Sequence, residues 1–436
     1  MNLTRSQKII LGAIAAAVLL LFGIFSGVIP GLKKDVVKAP EIELNVWGIS
    51  DSLDFETNFA GYRQFRSNVD INYKQIDARD YEDVLLNALA AGTGPDIFMV
   101  HNTWLPKHFN KLVAANNEQI TLDQIKSLFP TVVEQDFAPD QLIYGLPLFV
   151  DTLALYYNQD IFDASGVAII PSTWEEFQTA IPKLRQIDGK TNKIIRAGAA
   201  IGGDLNSIGT ATDILYLLML QNGTKLVDDN FTRANFSDRA NYAPGLEALN
   251  FYTKFADPRS IYYTWDGKSD AVDSFAQGKT AAMFNYAFQK ERIKNKNILL
   301  NFNIAPMPQI DPKQTAINYA DYWGLVVSNK SVNPNWAWDL ILYLTTNEAS
   351  AENYLKLTGY PPALKTLVDK YIKDPNLGIF AKQALSSRSW PQIDSEAIAN
   401  IFSEMIKSVN EKKLSSQAAI DQAELQVTDL MIKNRP

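Results

Sequence analysis

The sequence predicts an α/β fold that follows one amino-terminal transmembrane helix, and three observations support this prediction. Strand and helix patterns alternate in the residues after position 41. With 436 residues, of which 47% are hydrophobic and 20% charged, the chain has a globular composition and can bury a sizeable core. An uncharged apolar run precedes this globular body. The length suits two or three domains of roughly 150 residues each.

The start of the body alternates between strand and helix patterns. Glu41 to Ile49 and Asp70 to Ile76 alternate apolar and polar residues, which is the period of a strand. Tyr81 to Ala91 places its apolar residues on one helical face before Gly92, a typical helix end. Pro95 to Val100 follows as a short apolar strand, so the order predicts an open α/β sheet.

Later segments indicate further helices. Thr173, with Glu176 three residues later, forms a capping box in front of an apolar helical face. Trp336 to Leu344 and Ser415 to Met431 have the apolar spacing of amphipathic helices. The helical pattern therefore continues to the carboxyl terminus.

The amino terminus contains a candidate membrane segment. Ile9 to Ile29 is apolar and uncharged, and a helix of this length crosses a hydrocarbon layer of about 30 Å. Arg5 and Lys8 precede it on a short tail, so the positive-inside rule places the body outside the membrane. A cleaved secretory signal is the alternative, but the run is longer than usual signals and lacks a clear A-x-A site. We expect residues 1–39 to form an anchor or signal and a tether, with the body extracytoplasmic at the cell membrane.

Charge and cysteine content exclude several classes of function. The 41 basic and 48 acidic side chains give a net charge of -7 without a basic block, which argues against nucleic-acid binding. The chain has no cysteine, which excludes disulfides, thiolate metal sites and a lipid-modified cysteine. The two histidines, His101 and His108, are too few for a multi-histidine metal centre. We expect no metal and no cofactor, although a carboxylate metal site stays open.

A long motif occupies Ile143 to Val167 (IYGLPLFVDTLALYYNQDIFDASGV) and is followed by PSTWEEF, Pro171 to Phe177. This string resembles the signature of the bacterial extracellular solute-binding protein family 1, the maltose-type sugar-binding subunits of ABC importers. Shorter pieces of the family pattern occur in the same order: AAGTGPDIFMV (90–100), FAQGKTAAMFNYAF (275–288), IAPMP (304–308), YWGLVVSNKSVNPNWAWDLILYL (322–344) and GYPPA (359–363).

The resemblance implies a periplasmic-binding-protein-like fold of two α/β lobes with a hinge and a ligand cleft. We place lobe one at residues 40–149 plus 305–354, and lobe two at 150–304 plus 359–436. The implied function is capture of a sugar or oligosaccharide in the cleft, with closure of the lobes and delivery to an ABC permease. We expect a monomer. The chain departs from the family pattern by lacking the lipid-attachment cysteine, which leaves the amino-terminal helix as the anchor.

Sugars present hydroxyl groups and a C–H ring face, so a sugar site needs polar acceptors and flat aromatic rings. The resemblance places Asp151 at an acidic sugar-binding position, with a hinge residue that caps a backbone turn as the alternative. It places His101, Asn102 and Trp104 on a ligand-contacting loop, and for His101 a hydrogen-bonded loop histidine is the favoured alternative.

Further candidates follow strand ends or polar loops, and each has a structural alternative in core packing or a solvated loop. They are Trp47 and Asp51 after the first strand, Asp204 and Asn206 in IGGDLNSIG, Tyr286 and Phe288 after the AAMF strand, Asp321, Tyr322 and Trp323 before the Gly324 strand, and Trp390 in SRSWPQ.

Catalytic motifs do not support an enzyme. GxSxG, HExxH and GxxxxGK[ST] are absent, and we expect no catalytic residue. Two alternatives to an importer subunit stay open. One is a surface carbohydrate-active hydrolase, since a pair of carboxylates suffices for glycoside hydrolysis. The other is a sensory binding protein that works with a membrane receptor.

Overall fold

The computed structural model describes residues 4–25, 40–238 and 242–434. The chain divides into two compact units, Met1–Ile42 and Glu43–Pro436. The described helices are α1 (Arg5–Phe25), α2 (Leu53–Phe65), α3 (Tyr81–Ala91), α4 (Leu105–His108), α5 (Leu122–Leu128), α6 (Thr131–Phe137), α7 (Gln159–Ala164), α8 (Trp174–Leu184), α9 (Ala211–Gln221), α10 (Pro244–Thr253), α11 (Ala271–Ala276), α12 (Gln289–Lys296), α13 (Pro334–Thr346), α14 (Glu348–Thr358), α15 (Lys365–Tyr371), α16 (Gly378–Ala384), α17 (Ser395–Asn410) and α18 (Ser416–Lys433).

The strands all belong to the second unit or begin at its border. They are β1 (Ile42–Gly48), β2 (Val69–Gln75), β3 (Ile97–His101), β4 (Gly145–Pro147), β5 (Asp151–Thr152), β6 (Ala154–Asn158), β7 (Gln186–Ile187), β8 (Ile194–Arg196), β9 (Ala282–Asn285), β10 (Phe302–Ala305), β11 (Asn318–Asp321), β12 (Trp323–Val327) and β13 (Ser387–Arg388).

The amino-terminal unit contains helix α1. No helix within the described ranges combines the length and the apolar character that crossing a bilayer requires. The predicted membrane segment Ile9 to Ile29 continues past the end of α1 into residues 26–29, which lie outside the described residues. The membrane-spanning helix therefore stays a prediction.

The first sheet of the body has the strand order β2-β1-β3-β12-β4. Strand β1 pairs in parallel with β3, whereas β12 runs antiparallel to both β3 and β4. Ile42, Leu44 and Val46 are buried on one face of β1, while Glu43 and Asn45 on the other face are exposed. The alternation predicted from the sequence is thus confirmed for this strand.

The second sheet is antiparallel and has the order β10-β6-β9. Every residue of β6 is buried, because helices and loops cover both faces of this central strand. The core on this sheet includes residues from α8, α9, α10, α17 and α18. Helix α8 begins with the predicted capping box, in which Thr173 and Glu176 satisfy each other's backbone N–H groups.

A third small sheet, β13-β11-β5, connects the two larger ones. Along the chain, β5 follows β4 of the first sheet and precedes β6 of the second. Strand β11, which is antiparallel to β5, leads directly into β12 of the first sheet. Asp151 pairs with Asp321 in this ladder. A third stretch runs beside them, where Val150 N–H donates to the Pro361 carbonyl at 3.3 Å.

The chain therefore passes between the two larger sheets at adjacent places, which we call the hinge. Its action as a hinge between two lobes stays a prediction. The lobe limits expected at 149/150, 304/305 and 354/359 stay predictions.

Candidate functional site

A cavity of about 310 Å³ lies where the hinge strands meet the edges of the two larger sheets. Its lining combines aromatic rings with ionisable groups: Ile49, His101, Phe149, Asp151, Tyr286, Phe288, Asp321, Trp323 and Tyr360. Residues of this lining come from the ends of β3, β9 and β11 and from the starts of β5 and β12. Strand ends meet here because the sheets are joined end to end through the hinge.

The pairing of β3 with β12 brings the polar groups of this cavity together. His101 at the end of β3 pairs directly with Trp323 at the start of β12. His101 Nε2 lies 3.1 Å from Asp321 Oδ1, and His101 Nδ1 lies 2.8 Å from Thr103 Oγ1. These contacts fix the imidazole ring beside the carboxylate, so the pair presents polar atoms in a defined direction.

The aromatic side of the cavity consists of two stacked ring pairs. Phe288 is 48% exposed and lies parallel to buried Tyr286, with a centroid distance of 6.1 Å and an interplanar angle of 12°. Phe149 and Tyr360 stack at 4.1 Å and 14°. A half-exposed ring that is backed by a buried one is a flat apolar platform, which suits the C–H face of a sugar ring.

A second cavity of about 550 Å³ adjoins the first and shares Tyr286, Phe288 and Asp321 with it. The remaining lining residues are Gly209, Thr210, Asp213, Asp270, Ala271, Val272, Asp273, Asn285, Gln289, Arg292 and Lys296. Lys296 Nζ forms an ion pair of 2.6 Å with Asp273 Oδ1. The two cavities thus form one cleft that meets at Tyr286, Phe288 and Asp321, with side-chain acceptors along its length.

Asp151 lies at the hinge and has both carboxylate oxygens hydrogen-bonded to the backbone. Ala287 N–H donates to Oδ1 and Oδ2 at 3.1 and 2.9 Å, and Thr152 N–H donates to Oδ1 at 2.8 Å. Burial raises the pKa of Asp151 to about 8, the nearby Asp321 charge adds to this rise, and the backbone N–H groups oppose it. The residue lines the cavity and also holds the backbone next to Phe288.

Two more carboxyl groups lie near the cleft, of which Asp136 is buried and Asp213 is partly buried. Tyr286 Oη donates to Asp213 Oδ2 at 2.9 Å, and burial together with the Asp321 charge raises the pKa of Asp213 to about 7. Burial raises the pKa of Asp136 to about 6, while hydrogen bonds from Ser389, Asn102 and Tyr322 oppose the rise. In all three carboxyl groups, removal from water is the largest influence on the pKa.

The cavity brings together six of the predicted site residues: His101, Asp151, Tyr286, Phe288, Asp321 and Trp323.

Other candidates lie behind the cavity wall. Asn102 and Tyr322 are buried and bond to Asp136, with distances of 2.9 Å from Asn102 Nδ2 and 2.8 Å from Tyr322 Oη to Oδ2. Trp104 packs edge-on against Trp323 at 5.0 Å and donates its indole N–H to Ser395 Oγ at 2.7 Å.

The remaining candidates are outside the residues that line the cleft. Trp390 is 3% exposed and packs against Tyr216 in the core of the second sheet. The Trp47 ring is covered by the Lys74 ammonium group at 4.2 Å, and its carbonyl accepts from Tyr81 Oη.

Three polar candidates, Asp51, Asp204 and Asn206, take part in hydrogen bonds within their own loops. Asp51 Oδ1 accepts from Leu53 N–H at 3.0 Å, at the start of α2. Asp204 Oδ1 accepts from Asn206 N–H at 2.9 Å, and Asn206 is exposed. These hydrogen bonds have the form of Asx turns, which aspartate makes within its own backbone.

Several lining residues were not predicted as site residues, among them Tyr360, Phe149 and Asp213. Tyr360 belongs to the GYPPA piece of the family pattern, so its loop was visible in the sequence although its role was not. Phe149 belongs to the apolar PLFV run before Asp151, and this pattern predicts a core residue. Asp213 is the acidic residue in the first turn of the otherwise apolar helix α9, and this isolated charge is the signal that could have identified it.

Other surface hollows lack this combination of groups. The hollow of about 720 Å³ formed by residues between Gly166 and Lys183 contains no aromatic ring. Another, of about 440 Å³, lies between α2 and α13, and its carboxylate Asp339 is already bound by Arg66 and Tyr62. Within the described residues, no group of three or more His, Asp or Glu side chains is placed to hold a metal ion.

Comparison with known proteins gives consistent matches. A sequence profile described as bacterial extracellular solute-binding protein matches residues 55–379. The galactooligosaccharide-binding protein of Bacillus subtilis (strain 168) is 23% identical over 373 residues, which cover 82% of this chain and 83% of that protein. A putative binding protein of Brucella abortus (strain 2308) is 25% identical over 337 residues, covering 75% of this chain and 78% of that protein.

Solved structures extend the comparison to the fold. The sugar-binding protein MalE of Xanthomonas citri has a TM-score of 0.74 and 20% identity, and the match covers 90% of this chain and 98% of that chain. The cyclic alpha-maltosyl-1,6-maltose binding protein of Arthrobacter globiformis has a TM-score of 0.74 at 18% identity, covering 90% of this chain and 100% of that chain. The body therefore has the periplasmic-binding-protein-like α/β fold predicted from the sequence.

Proposed function

Because the chain belongs to the bacterial extracellular solute-binding protein family, we propose that it captures a sugar or oligosaccharide outside the cell and delivers it to an ABC permease. The observation that carries the sugar assignment is the half-exposed Phe288 ring, backed by Tyr286, in the same cavity as the His101 and Asp321 pair. A ring platform and a carboxylate acceptor in one cavity match the two kinds of surface that a sugar presents. Several relatives named above bind saccharides, which supports the same ligand class.

The mechanism follows from the position of the cavity at the hinge. A saccharide that stacks on Phe288 and bonds to Asp321, whose carboxylate His101 holds in place, contacts residues on both sides of the hinge. Such a ligand binds more tightly when the two sides approach, so it shifts the population toward the closed state. We propose this closed, loaded form as the species that the permease recognises, and we assign no catalytic role to the site.

A thermal-shift screen tests the ligand class. The full chain in detergent is heated with mono- and oligosaccharides, polyols, amino acids and glycerophosphodiesters, because a ligand of the native state raises the melting temperature. We expect a shift with one saccharide class, and its loss in Phe288→Ala. The matched control is Phe65→Ala, a 71% exposed phenylalanine outside the cleft, which keeps the shift. A shift with amino acids alone, or cleaved sugar in the wells, contradicts the proposal.

We further propose that the apolar segment Ile9 to Ile29 anchors the body to the cell membrane. The proposal rests on the uncharged sequence of this segment and on Arg5 and Lys8 before it. Membrane fractionation followed by mass spectrometry of the intact chain tests it. An uncleaved amino terminus in the membrane fraction supports the anchor, whereas a soluble chain that begins after residue 29 identifies a cleaved signal.

A further inference from the structure

The orientation of the Phe288 ring depends on the ring behind it. Phe288 is half exposed, and its stacked partner Tyr286 is 2% exposed with its hydroxyl group directed into the protein. Strand β9 ends at Asn285, so both rings project from the loop between β9 and α12. A loop does not hold two rings parallel by itself, and the contacts of Tyr286 must supply that order.

Tyr286 is held by four hydrogen bonds. Its carbonyl accepts from Tyr156 Oη at 2.6 Å and from Gln289 N–H at 3.2 Å, and its N–H donates to Asn285 Oδ1 at 2.9 Å. These three bonds fix the backbone but do not reach the far end of the side chain. The fourth bond, from Tyr286 Oη to Asp213 Oδ2 at 2.9 Å, fixes that end of the ring.

Asp213 is itself rigidly placed. It lies in the first turn of α9, whose residues from Ile214 to Met219 are buried. Thr210 Oγ1, just before this helix, donates to the Phe284 carbonyl of β9 at 2.9 Å. The helix start is therefore tied to the same strand that carries the platform, and Asp213 serves as a fixed acceptor for the tyrosine hydroxyl.

We infer that Asp213 is a positioning residue of the binding site: it holds the Tyr286 ring parallel to Phe288, so that Phe288 presents its free face to the cleft. Asp213 acts through Tyr286. A bond to a carboxylate is stronger than one to a neutral acceptor, so the charge of Asp213 contributes to the rigidity of the platform. The consequence for ligand affinity rests on the proposed function, whereas the ring orientation does not.

Several groups surround this carboxylate. The charge of Asp321 raises the pKa of Asp213, and that of His101 lowers it. Tyr286 is hydrogen-bonded to Asp213, and the buried Tyr216 and Tyr319 lie close to it. Burial raises the pKa of Asp213 to about 7, so the hydroxyl acceptor changes charge near neutral pH. The electrostatic environment of the two rings should consequently change as the pH falls below this value, while the contact persists, because a protonated carboxyl group still accepts the hydroxyl proton through its carbonyl oxygen.

A ligand-free measurement tests the ring orientation. 4-Fluorophenylalanine is placed at position 288 of the full chain in detergent, and its 19F resonance is recorded against pH. We expect one sharp resonance that titrates with a midpoint near pH 7, the value to which burial raises the pKa of Asp213. The Asp213→Asn variant should keep the sharp line, since its amide oxygen still accepts the hydroxyl proton, and should lose the titration.

Two single substitutions break the contact from opposite sides. Asp213→Ala removes the acceptor, and Tyr286→Phe removes only the hydroxyl oxygen while keeping the ring and the charge; both should shift and broaden the resonance. Matched controls are Asp160→Asn, in the first turn of α7, and Tyr252→Phe, whose hydroxyl donates to the Gly203 carbonyl at 2.8 Å. Spectra of Tyr286→Phe and wild type that superimpose would overturn the inference.

Ligand binding then separates this inference from the proposed function. With the saccharide found in the screen, Tyr286→Phe should bind about tenfold more weakly, as expected for the loss of a hydrogen bond to a charged group. The single variant Asp213→Asn, which keeps an acceptor for the tyrosine hydroxyl, should bind the saccharide within about threefold of the wild-type affinity. If the wild-type chain binds no saccharide, the proposed function fails while the 19F spectra still decide the role of Asp213.

Discussion

The carboxylate of Asp151 provides the most informative single substitution in the hinge. It is 2% exposed, and it accepts the backbone N–H groups of Ala287 and Thr152. Replacing Asp151 with alanine leaves both buried donors without this acceptor. At about 1–3 kcal/mol for each unsatisfied buried group, the free energy of unfolding should fall by about 2–6 kcal/mol.

Asparagine at the same position gives the matched comparison. Oδ1 accepts from both Thr152 and Ala287, so the amide oxygen of Asp151→Asn can keep these two bonds, whereas the amide nitrogen replaces Oδ2 and loses the 2.9 Å bond from Ala287 N–H. We expect this variant to lose less than about 1.5 kcal/mol, the size of one ordinary hydrogen bond. Its saccharide affinity should stay within about threefold of wild type, which is less than 1 kcal/mol.

Urea denaturation gives the stabilities, and calorimetric titration of the saccharide gives the affinities. If Asp151 instead contacts the ligand through its charge, Asp151→Asn will bind far more weakly while staying as stable as wild type. That result, or an alanine variant as stable as wild type, would refute the scaffold role of Asp151.

Three further predictions concern the platform, the pH dependence and the core. Phe288→Ala should weaken saccharide binding by about tenfold without changing the urea midpoint by much, since a ring–ring contact contributes about 0.5–1.5 kcal/mol beyond its buried area. The pKa of Asp213 is raised from 3.8 to about 7, so the native state binds more protons than the unfolded state. Stability should therefore fall as the pH rises from about 4 to 7, by up to about 4 kcal/mol, and Asp213→Asn should flatten this part of the urea-measured profile. Trp390→Phe should leave saccharide affinity unchanged and cost less than about 1.5 kcal/mol, because the indole N–H has no hydrogen-bond partner among the described residues and the ring lies in the core. A loss of binding would instead indicate ligand contact.

Local patterns predicted the elements that bury one face. The alternation in Glu41 to Ile49 predicted β1, and Gly92 marked the end of α3, where it adopts a left-handed backbone conformation with φ of 72°. The capping box of Thr173 and Glu176 predicted the start of α8. Each signal depends on neighbours in sequence, so no tertiary contact is needed to interpret it.

Local geometry distinguishes three of the predicted site residues from one another. Asp321, Tyr322 and Trp323 are consecutive residues in extended chain, and side chains of such residues alternate between faces. Asp321 and Trp323 accordingly line the cavity, whereas Tyr322 points the other way and bonds to Asp136. The alternation rule alone could have separated them.

Other residues depend on contacts between distant parts of the chain. Trp390 lies in the core since α9 and α17 supply Tyr216 and Phe402 around its ring. Tyr360 reaches the cavity because its loop runs beside the hinge and stacks on Phe149. The resemblance to a known family included the GYPPA loop that carries Tyr360 but gave no direction for its side chain.

We propose the cleft at the hinge as the saccharide site, with the Phe288 ring as its platform. Isothermal titration calorimetry of the full chain with the saccharide class selected by the thermal screen tests it most directly. We expect one saccharide per chain in the wild type and much weaker binding in Phe288→Ala. Equal affinity in both proteins, or no heat of binding with any saccharide, would contradict it.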